Sequence, residues 1–187
     1  MQKIGKIVVA AAAALSLAAC GQQAKTETAA PAGPSVPPSS AAAQATQSKG
    51  RECTADDIKT TGKFGEKPAI TIPDDCDPPK KLITKDLSEG TGGAAKAGQQ
   101  LKMNYLLVTW SDKKVLDNSY DRGETFDLNL GAGEVIPGWD QGLAGIKQGG
   151  RRLLIIPPDL AYGQGGRGIQ PNETLVFVTD AVSVPAA

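Results

Sequence analysis

The chain has 187 residues, with 20 basic and 20 acidic side chains and no histidine. A formal charge of zero gives no sign of a nucleic-acid partner, which would be held through phosphate contacts. Without histidine, Ser-His-Asp and Cys-His catalysis and every histidine-containing metal site are excluded. The length suits one ordinary domain with appendages, and we expect neither a metal nor a cofactor.

The N-terminus predicts an export signal. Lys3 and Lys6 precede an apolar run over residues 7–19, which is too short to span a bilayer but typical of a signal core. The run ends in "LAAC", which resembles the bacterial lipoprotein cleavage box, where the cysteine becomes the lipid-bearing first residue. Residues 1–19 are therefore predicted to be a lipoprotein signal peptide and Cys20 a lipidated membrane anchor. An ordinary secretory signal is the alternative.

Two segments without strong patterning follow the signal. Residues 20–50 are mostly Ala, Pro, Ser, Thr and Gln, so they are predicted to form a disordered tether. Residues 51–79 are predicted to be an ordered extension lying against the main domain. Cys53 and Cys76 form an even pair, which in an oxidising compartment favours a disulfide. Two free thiols are the alternative, and two sulfurs without histidine are too few for structural zinc.

The main domain, residues 80–187, is predicted to be mostly strands. "KKLITKDL", "LKMNYLLVT", "TFDLNL", "RLLIIP" and "ETLVFVTDAVSV" are the strand segments. Period-two alternation places on one face Leu101, Met103, Tyr105 and Leu107 in the second segment, and Phe126, Leu128 and Leu130 in the third. One short helix begins at Pro137 and carries Trp139. Several strands with one helix and no crossover helices predict an antiparallel α+β domain.

Three features of this domain leave alternatives open. "GQGGRG", residues 163–168, matches a dinucleotide-binding pattern, but a proline and a strand follow it, so it predicts a loop. Asp117 is either a turn residue or a functional carboxylate. Seven of the eight aromatic residues fall between Tyr105 and Phe177, which predicts either a small aromatic core or a concave apolar pocket.

The segments "EVIPGWDQGLAGIKQGGRRLLIIPPDLAYG" and "PNETLVFV", with "NY" and "LDNSYDRG" before them, resemble the FKBP family of peptidyl-prolyl isomerases. The resemblance covers residues 82–184. It implies an FKBP-like antiparallel half-barrel sheet wrapped around one short helix. It also implies cis–trans isomerisation of X-Pro bonds in exported proteins, by non-covalent stabilisation of the twisted amide in an apolar aromatic pocket. The implied partners are proline-containing peptides, exported client proteins and macrolide ligands.

The resemblance also implies roles for single residues. Trp139 would form the pocket floor, Asp117 the pocket carboxylate, Tyr162 a ligand-bonding hydroxyl, and Ile136 a backbone N–H donor. The implied catalytic set is Asp117, Tyr162, Trp139, Tyr105 and Phe177, and the implied substrate-binding set is Phe126, Val135, Ile136, Leu116 and Ile169. Leu116 stands where the family usually has phenylalanine, and the 163–171 loop is shorter than in common members. These departures favour the alternative function, a catalytically weak or silent chaperone or peptide-binding module.

Overall fold

The computed structural model describes residues 48–186, so the predictions for the signal peptide, Cys20 and most of the tether lie outside the described residues. Eight strands and two short helices occur in this range. In chain order they are β1 Lys59–Thr61, β2 Ala69–Thr71, β3 Ile83–Ser88, β4 Gln100–Thr109, β5 Val115–Asn118, β6 Phe126–Asn129, helix α1 Pro137–Gly142, β7 Arg151–Ile156, a 3₁₀ turn Pro158–Leu160 and β8 Leu175–Ser183. No helix among residues 48–186 is long and apolar enough to cross a membrane.

Six strands form one antiparallel sheet in the order β3-β7-β8-β4-β5, and β6 also pairs with β4. The long strand β4 makes this possible because its first half pairs with β6 and its second half with β5. The predicted antiparallel α+β domain and its five strand segments are confirmed. Strand β5, which carries Asp117, and the small β1–β2 hairpin were not predicted.

Each face of the sheet buries a separate apolar cluster. On the inner face, the alternating residues of β4 pack with helix α1, and these residues include Leu101 and Met103, both fully buried. Further along β4, Leu106 and Val108 point to the outer face. Strand β7 is buried along its whole length because both of its faces are covered. The sheet is therefore the middle layer of the domain.

The outer face is covered by the segment predicted as an extension. Its two cysteines are joined by a disulfide with a Cα–Cα distance of 5.1 Å, and both are almost fully buried. Together with Ile58 and Ile72 they pack against the outer-face side chains of β4, β7 and β8. The extension thus supplies four of the eleven buried residues of the outer cluster and covers apolar strand residues that would otherwise be exposed to water.

A buried ion pair attaches the turn of the β1–β2 hairpin to the sheet. The Arg151 and Asp180 side chains are 3% and 0% exposed and bond at 2.6 and 2.8 Å. The guanidinium also donates to the backbone carbonyls of Gly62 and Glu66, each at 2.7 Å. The Asp180 carboxylate accepts from the Gly65 N–H at 2.7 Å. Both charges are therefore paired and hydrogen-bonded, as buried charges must be.

The start of the described chain is held beside the disulfide. The Ser48 hydroxyl and the Lys49 N–H donate to the Asp77 carboxylate at 2.6 and 2.9 Å. These hydrogen bonds lower the pKa of Asp77 below its ordinary value. Backbone bonds from Cys53 to Asp77, at 2.8 Å, and from Asp77 to Arg51, at 2.7 Å, continue the attachment. Residues 48–53 are thereby fixed along the last part of the extension.

Candidate active site

Helix α1 is short and rich in glycine because it packs very closely on strand β7. Pro137 occupies its first position, which suits the fixed φ of proline. A Cβ added to Gly138 would lie 2.3 Å from Ile156 Cγ2, and one added to Gly142 would lie 2.9 Å from Leu154 Cδ2. Larger residues would push the helix away from the sheet. Glycine has a low helix propensity, but here that cost is offset by the close packing of the helix on the strand.

Three aromatic rings from three strands surround Trp139, which is only 4% exposed. The tryptophan ring meets Tyr105, Phe126 and Phe177 edge-to-face at centroid distances of 5.5, 5.7 and 5.4 Å. Such contacts fix ring orientations because the positive edge of one ring faces the negative face of another. The rings form the floor and walls of a cavity of about 440 Å³, which we call the aromatic cavity.

A carboxylate, a phenol and a guanidinium form a network at the rim of this cavity. Asp117 accepts hydrogen bonds from the Tyr105 hydroxyl and from Arg122, and Arg122 also donates to the same hydroxyl at 2.8 Å. The Arg122 guanidinium lies 5.5 Å from the Tyr105 ring centroid. The network holds Tyr105 in place against Trp139 and leaves part of the Asp117 carboxylate exposed to a ligand.

The network shifts the pKa values of its members in opposite directions. Partial burial acts to raise the pKa of Asp117, but the hydrogen bonds from Tyr105 and Arg122 outweigh it, so the pKa lies below the ordinary value. Burial and the hydrogen bond to Asp117 raise the pKa of Tyr105. Asp117 is therefore ionised and Tyr105 neutral at neutral pH.

Two hydrogen-bond donors at the cavity remain free for a ligand. The Ile136 N–H and the Tyr162 hydroxyl donate to no acceptor within residues 48–186. Ile136 precedes helix α1 in an extended conformation, and its carbonyl accepts from Trp139 at 2.8 Å. Tyr162 lies two residues after the 3₁₀ turn and lines the same cavity. The arrangement can enclose an apolar ring and hydrogen-bond the carbonyl groups beside it.

The structure brings eight of the ten predicted site residues to the aromatic cavity. They are Asp117, Tyr162, Trp139, Tyr105, Phe177, Phe126, Val135 and Ile136. Ile169 packs in the inner-face cluster with these residues but does not line the cavity. Phe126 belongs to the predicted inner face of β6, yet it is 37% exposed because its ring forms an open wall.

Leu116, predicted to bind substrate, does not line the aromatic cavity. Leu116 is 40% exposed and lines a separate, smaller groove. The pairing of β4 with β5 passes from Leu107–Asp117 to Val108–Val115, so Leu116 is the extra residue of a β-bulge. Neighbouring side chains of a strand point to opposite faces, so Asp117 points into the aromatic cavity and Leu116 points away from it.

Five residues at the site were not predicted. Leu107, Glu134, Ala161 and Arg167 also line the cavity, and Arg122 completes the rim network. Arg122 lies five residues after Asp117 in the same quoted motif, so its charge was the available signal. The sequence held no signal for Arg167, because its position at the cavity depends on the path of the glycine-rich loop over residues 163–168.

An antiparallel sheet over a short helix, with a tryptophan-floored aromatic cavity, defines a domain with one concave apolar site on its inner face. The sequence profile of the FKBP-type peptidyl-prolyl cis-trans isomerase family matches residues 92–181. An FK506-binding protein of Streptomyces anulatus is 49% identical over 122 residues, which are 64% of this chain and 98% of that protein. The FkpA isomerase of Escherichia coli is 45% identical over 107 residues, covering 57% of this chain and 38% of FkpA.

Solved structures show the same relationship. The crystal structure of AtFKBP13 matches with a TM-score of 0.53 and 36% identity, over 58% of this chain and 96% of that one. That of Escherichia coli FkpA matches with a TM-score of 0.52 and 44% identity, over 57% of this chain and 49% of that one. The chain belongs to the FKBP-type peptidyl-prolyl cis-trans isomerase family, and it is an enzyme of that type.

Proposed function

We propose that the aromatic cavity isomerises X-Pro bonds of exported proteins by binding the twisted amide more tightly than the planar one. The observation that carries this proposal is the floor of the cavity, where Trp139 is held by three edge-to-face rings under an exposed carboxylate. A proline ring is apolar and fits such a floor. No covalent bond is made or broken in the reaction, so a chain without histidine can catalyse it.

The proposed mechanism is differential binding. Rotation about a peptide bond has a barrier of about 18–20 kcal/mol because it breaks amide conjugation. The planar amide carries more separated charge than the twisted form, so apolar walls favour the twisted form. Trp139 holds the proline ring, and the Ile136 N–H and Tyr162 hydroxyl orient the flanking carbonyls. Asp117 orients the substrate from the rim. Interactions stronger in the transition state than in the ground state raise the rate.

The proposal is tested by measuring kcat/KM for short X-Pro peptides. Trp139→Leu should lower it by at least about tenfold, since it removes the apolar floor. The chain offers a matched control in Trp110→Leu, because Trp110 is also buried but lies in the outer-face cluster. The control should lose stability but keep kcat/KM. Equal losses in both variants at a temperature where both are folded would contradict the assignment of the floor.

Macrolide binding to the same cavity is a second part of the proposal. The two tryptophans make it testable by fluorescence, because Trp139 lies in the cavity and Trp110 on the other face of the sheet. A macrolide should change the emission of Trp110→Leu and inhibit turnover. It should leave the emission of Trp139→Leu almost unchanged. Peptide or macrolide binding without turnover would assign the alternative, a non-catalytic peptide-binding module.

We further propose that the protein is exported and anchored to a membrane through lipidated Cys20. The signal-like N-terminus supports this, and the Cys53–Cys76 disulfide is of the kind found outside the cytoplasm. Cells expressing the full chain should incorporate a labelled fatty acid into it and retain it in the membrane fraction. Cys20→Ser should abolish both. A membrane-free wild-type chain, or labelling that survives the substitution, would refute the anchor.

A further inference from the structure

A second concavity lies beside the aromatic cavity, and we call it the side groove. Its volume is about 160 Å³, and it lies between the β4–β5 turn and the loop before β8. The two concavities share walls. Asp117 lines the aromatic cavity, and its neighbour Leu116 lines the side groove. Likewise Arg167 lines the aromatic cavity, and its neighbour Gly168 lines the side groove. The two concavities are therefore adjacent on the surface.

Exposed apolar surface forms one part of the side groove. Val115 and Leu116 are 53% and 40% exposed, which makes them two of the most exposed large apolar side chains in residues 48–186. Strand β5, which carries both, is the last strand of the sheet in the strand order. Leu116 lies at a β-bulge, and its side chain lines the side groove and not the aromatic cavity.

A buried carboxylate forms the other part. Glu173 is 5% exposed, and its carboxylate accepts from the Ser111 N–H at 2.9 Å and from the Ser111 hydroxyl. Within residues 48–186 it forms no salt bridge. Asp112 and Lys114 also line the groove and form an ion pair at 3.4 Å, so two carboxylates and one ammonium group lie there. The groove therefore has a net negative charge next to apolar surface.

We propose that the side groove is a substrate subsite for a lysine or arginine close in sequence to the isomerised proline. This rests on the proposed function of the aromatic cavity. Long basic side chains combine an apolar stem with a charged head, so the stem would lie on Val115 and Leu116. The head would hydrogen-bond the Glu173 carboxylate, an interaction stronger than a neutral hydrogen bond. The subsite thus selects exported clients with basic residues near proline.

The test is a peptide series assayed with the purified protein. Each pair of peptides is identical except for Lys or Glu at one position, from four residues before proline to four after it. At one or more positions the Lys peptide should have a kcat/KM about fivefold above that of the Glu peptide, as for a partly desolvated charge pair. The ratio should fall as ionic strength rises. Equal values at every position would overturn the proposal.

Glu173→Gln is the decisive variant because it removes the charge and keeps the size of the side chain. Its amide oxygen can still accept from the Ser111 N–H, and its amide nitrogen can donate to the Ser111 hydroxyl. It should bring the Lys-to-Glu ratio close to one. Glu89→Gln is the matched control, since Glu89 follows β3 at the opposite edge of the sheet and is mostly exposed. It should leave the ratio unchanged. An unchanged ratio in Glu173→Gln, or an equal change in both variants, would overturn the subsite.

A neutral reference peptide separates this proposal from the one on which it rests. It is assayed with the wild-type protein and both variants. If the wild-type protein does not turn it over, the isomerase function itself fails. If all three proteins turn it over equally while the Lys and Glu peptides also behave alike, only the subsite fails.

Discussion

Removing the Cys53–Cys76 disulfide should destabilise the domain strongly without affecting its catalysis. The bond closes a loop of 23 residues, and the loss of chain entropy in the unfolded state from such a loop corresponds to about 3 kcal/mol. Domains of this size are stable by only about 5–15 kcal/mol in total. The double variant Cys53→Ala/Cys76→Ala should therefore lose a large fraction of the free energy of unfolding. Both positions are buried, so the smaller alanines also leave a packing defect.

The measurement is equilibrium urea unfolding followed by tryptophan fluorescence. Reducing agent should shift the unfolding midpoint of the wild-type protein nearly to that of the double variant, and it should not shift the variant further. The kcat/KM of the folded variant should stay within about twofold of wild type, because the disulfide and the aromatic cavity lie on opposite faces of the sheet. An unchanged free energy of unfolding would refute the stabilising role. A loss of turnover in fully folded variant would show that the two faces are coupled.

Three further predictions concern the sheet and the site. Gly138→Ala should lower the free energy of unfolding by about 1–3 kcal/mol and lower kcat/KM, because its Cβ would overlap Ile156. Thermal unfolding and turnover assays measure these two effects. An unchanged melting temperature would contradict the close approach of helix and strand. The pKa of Asp117 lies below its ordinary value and that of Tyr105 above its own, so kcat/KM should be flat from about pH 5 to 9 and fall only as Asp117 protonates at lower pH. A change of kcat/KM between about pH 5 and 9 would show that another ionisable group controls the rate. Arg151→Met leaves a buried carboxylate unpaired and should lower the free energy of unfolding by about 3–5 kcal/mol in urea titrations, whereas a neutral result would mean that water reaches this pair.

Much of the fold could be predicted because its strands follow simple rules. The alternation along β4 identified the inner face, and Pro137 located the start of the helix. The reason for the helix glycines could not be predicted, since it depends on contact with Ile156 on a strand that follows the helix in the chain. Strand β5 was missed because its four residues show no alternation, and a bulge interrupts its pairing.

The site was predicted mainly through the resemblance of its motifs. Motif positions place a residue along the chain, but they do not determine where a side chain points. Leu116 shows the difference, because it is next to Asp117 in the motif but its side chain lies outside the aromatic cavity. Arg122 and Glu173 show the converse. Their charges were visible in the sequence, but their partners became known only when distant segments were brought together.

The attachment of Ser48 to Asp77 determines how mechanical load would pass through the domain. A pull on the chain before Ser48 acts first on hydrogen bonds along residues 48–53. It then meets the covalent link at Cys53, which transfers the force to Cys76 and bypasses the β1–β2 hairpin. A load applied at this end therefore reaches the outer layer before the inner face, where the aromatic cavity lies.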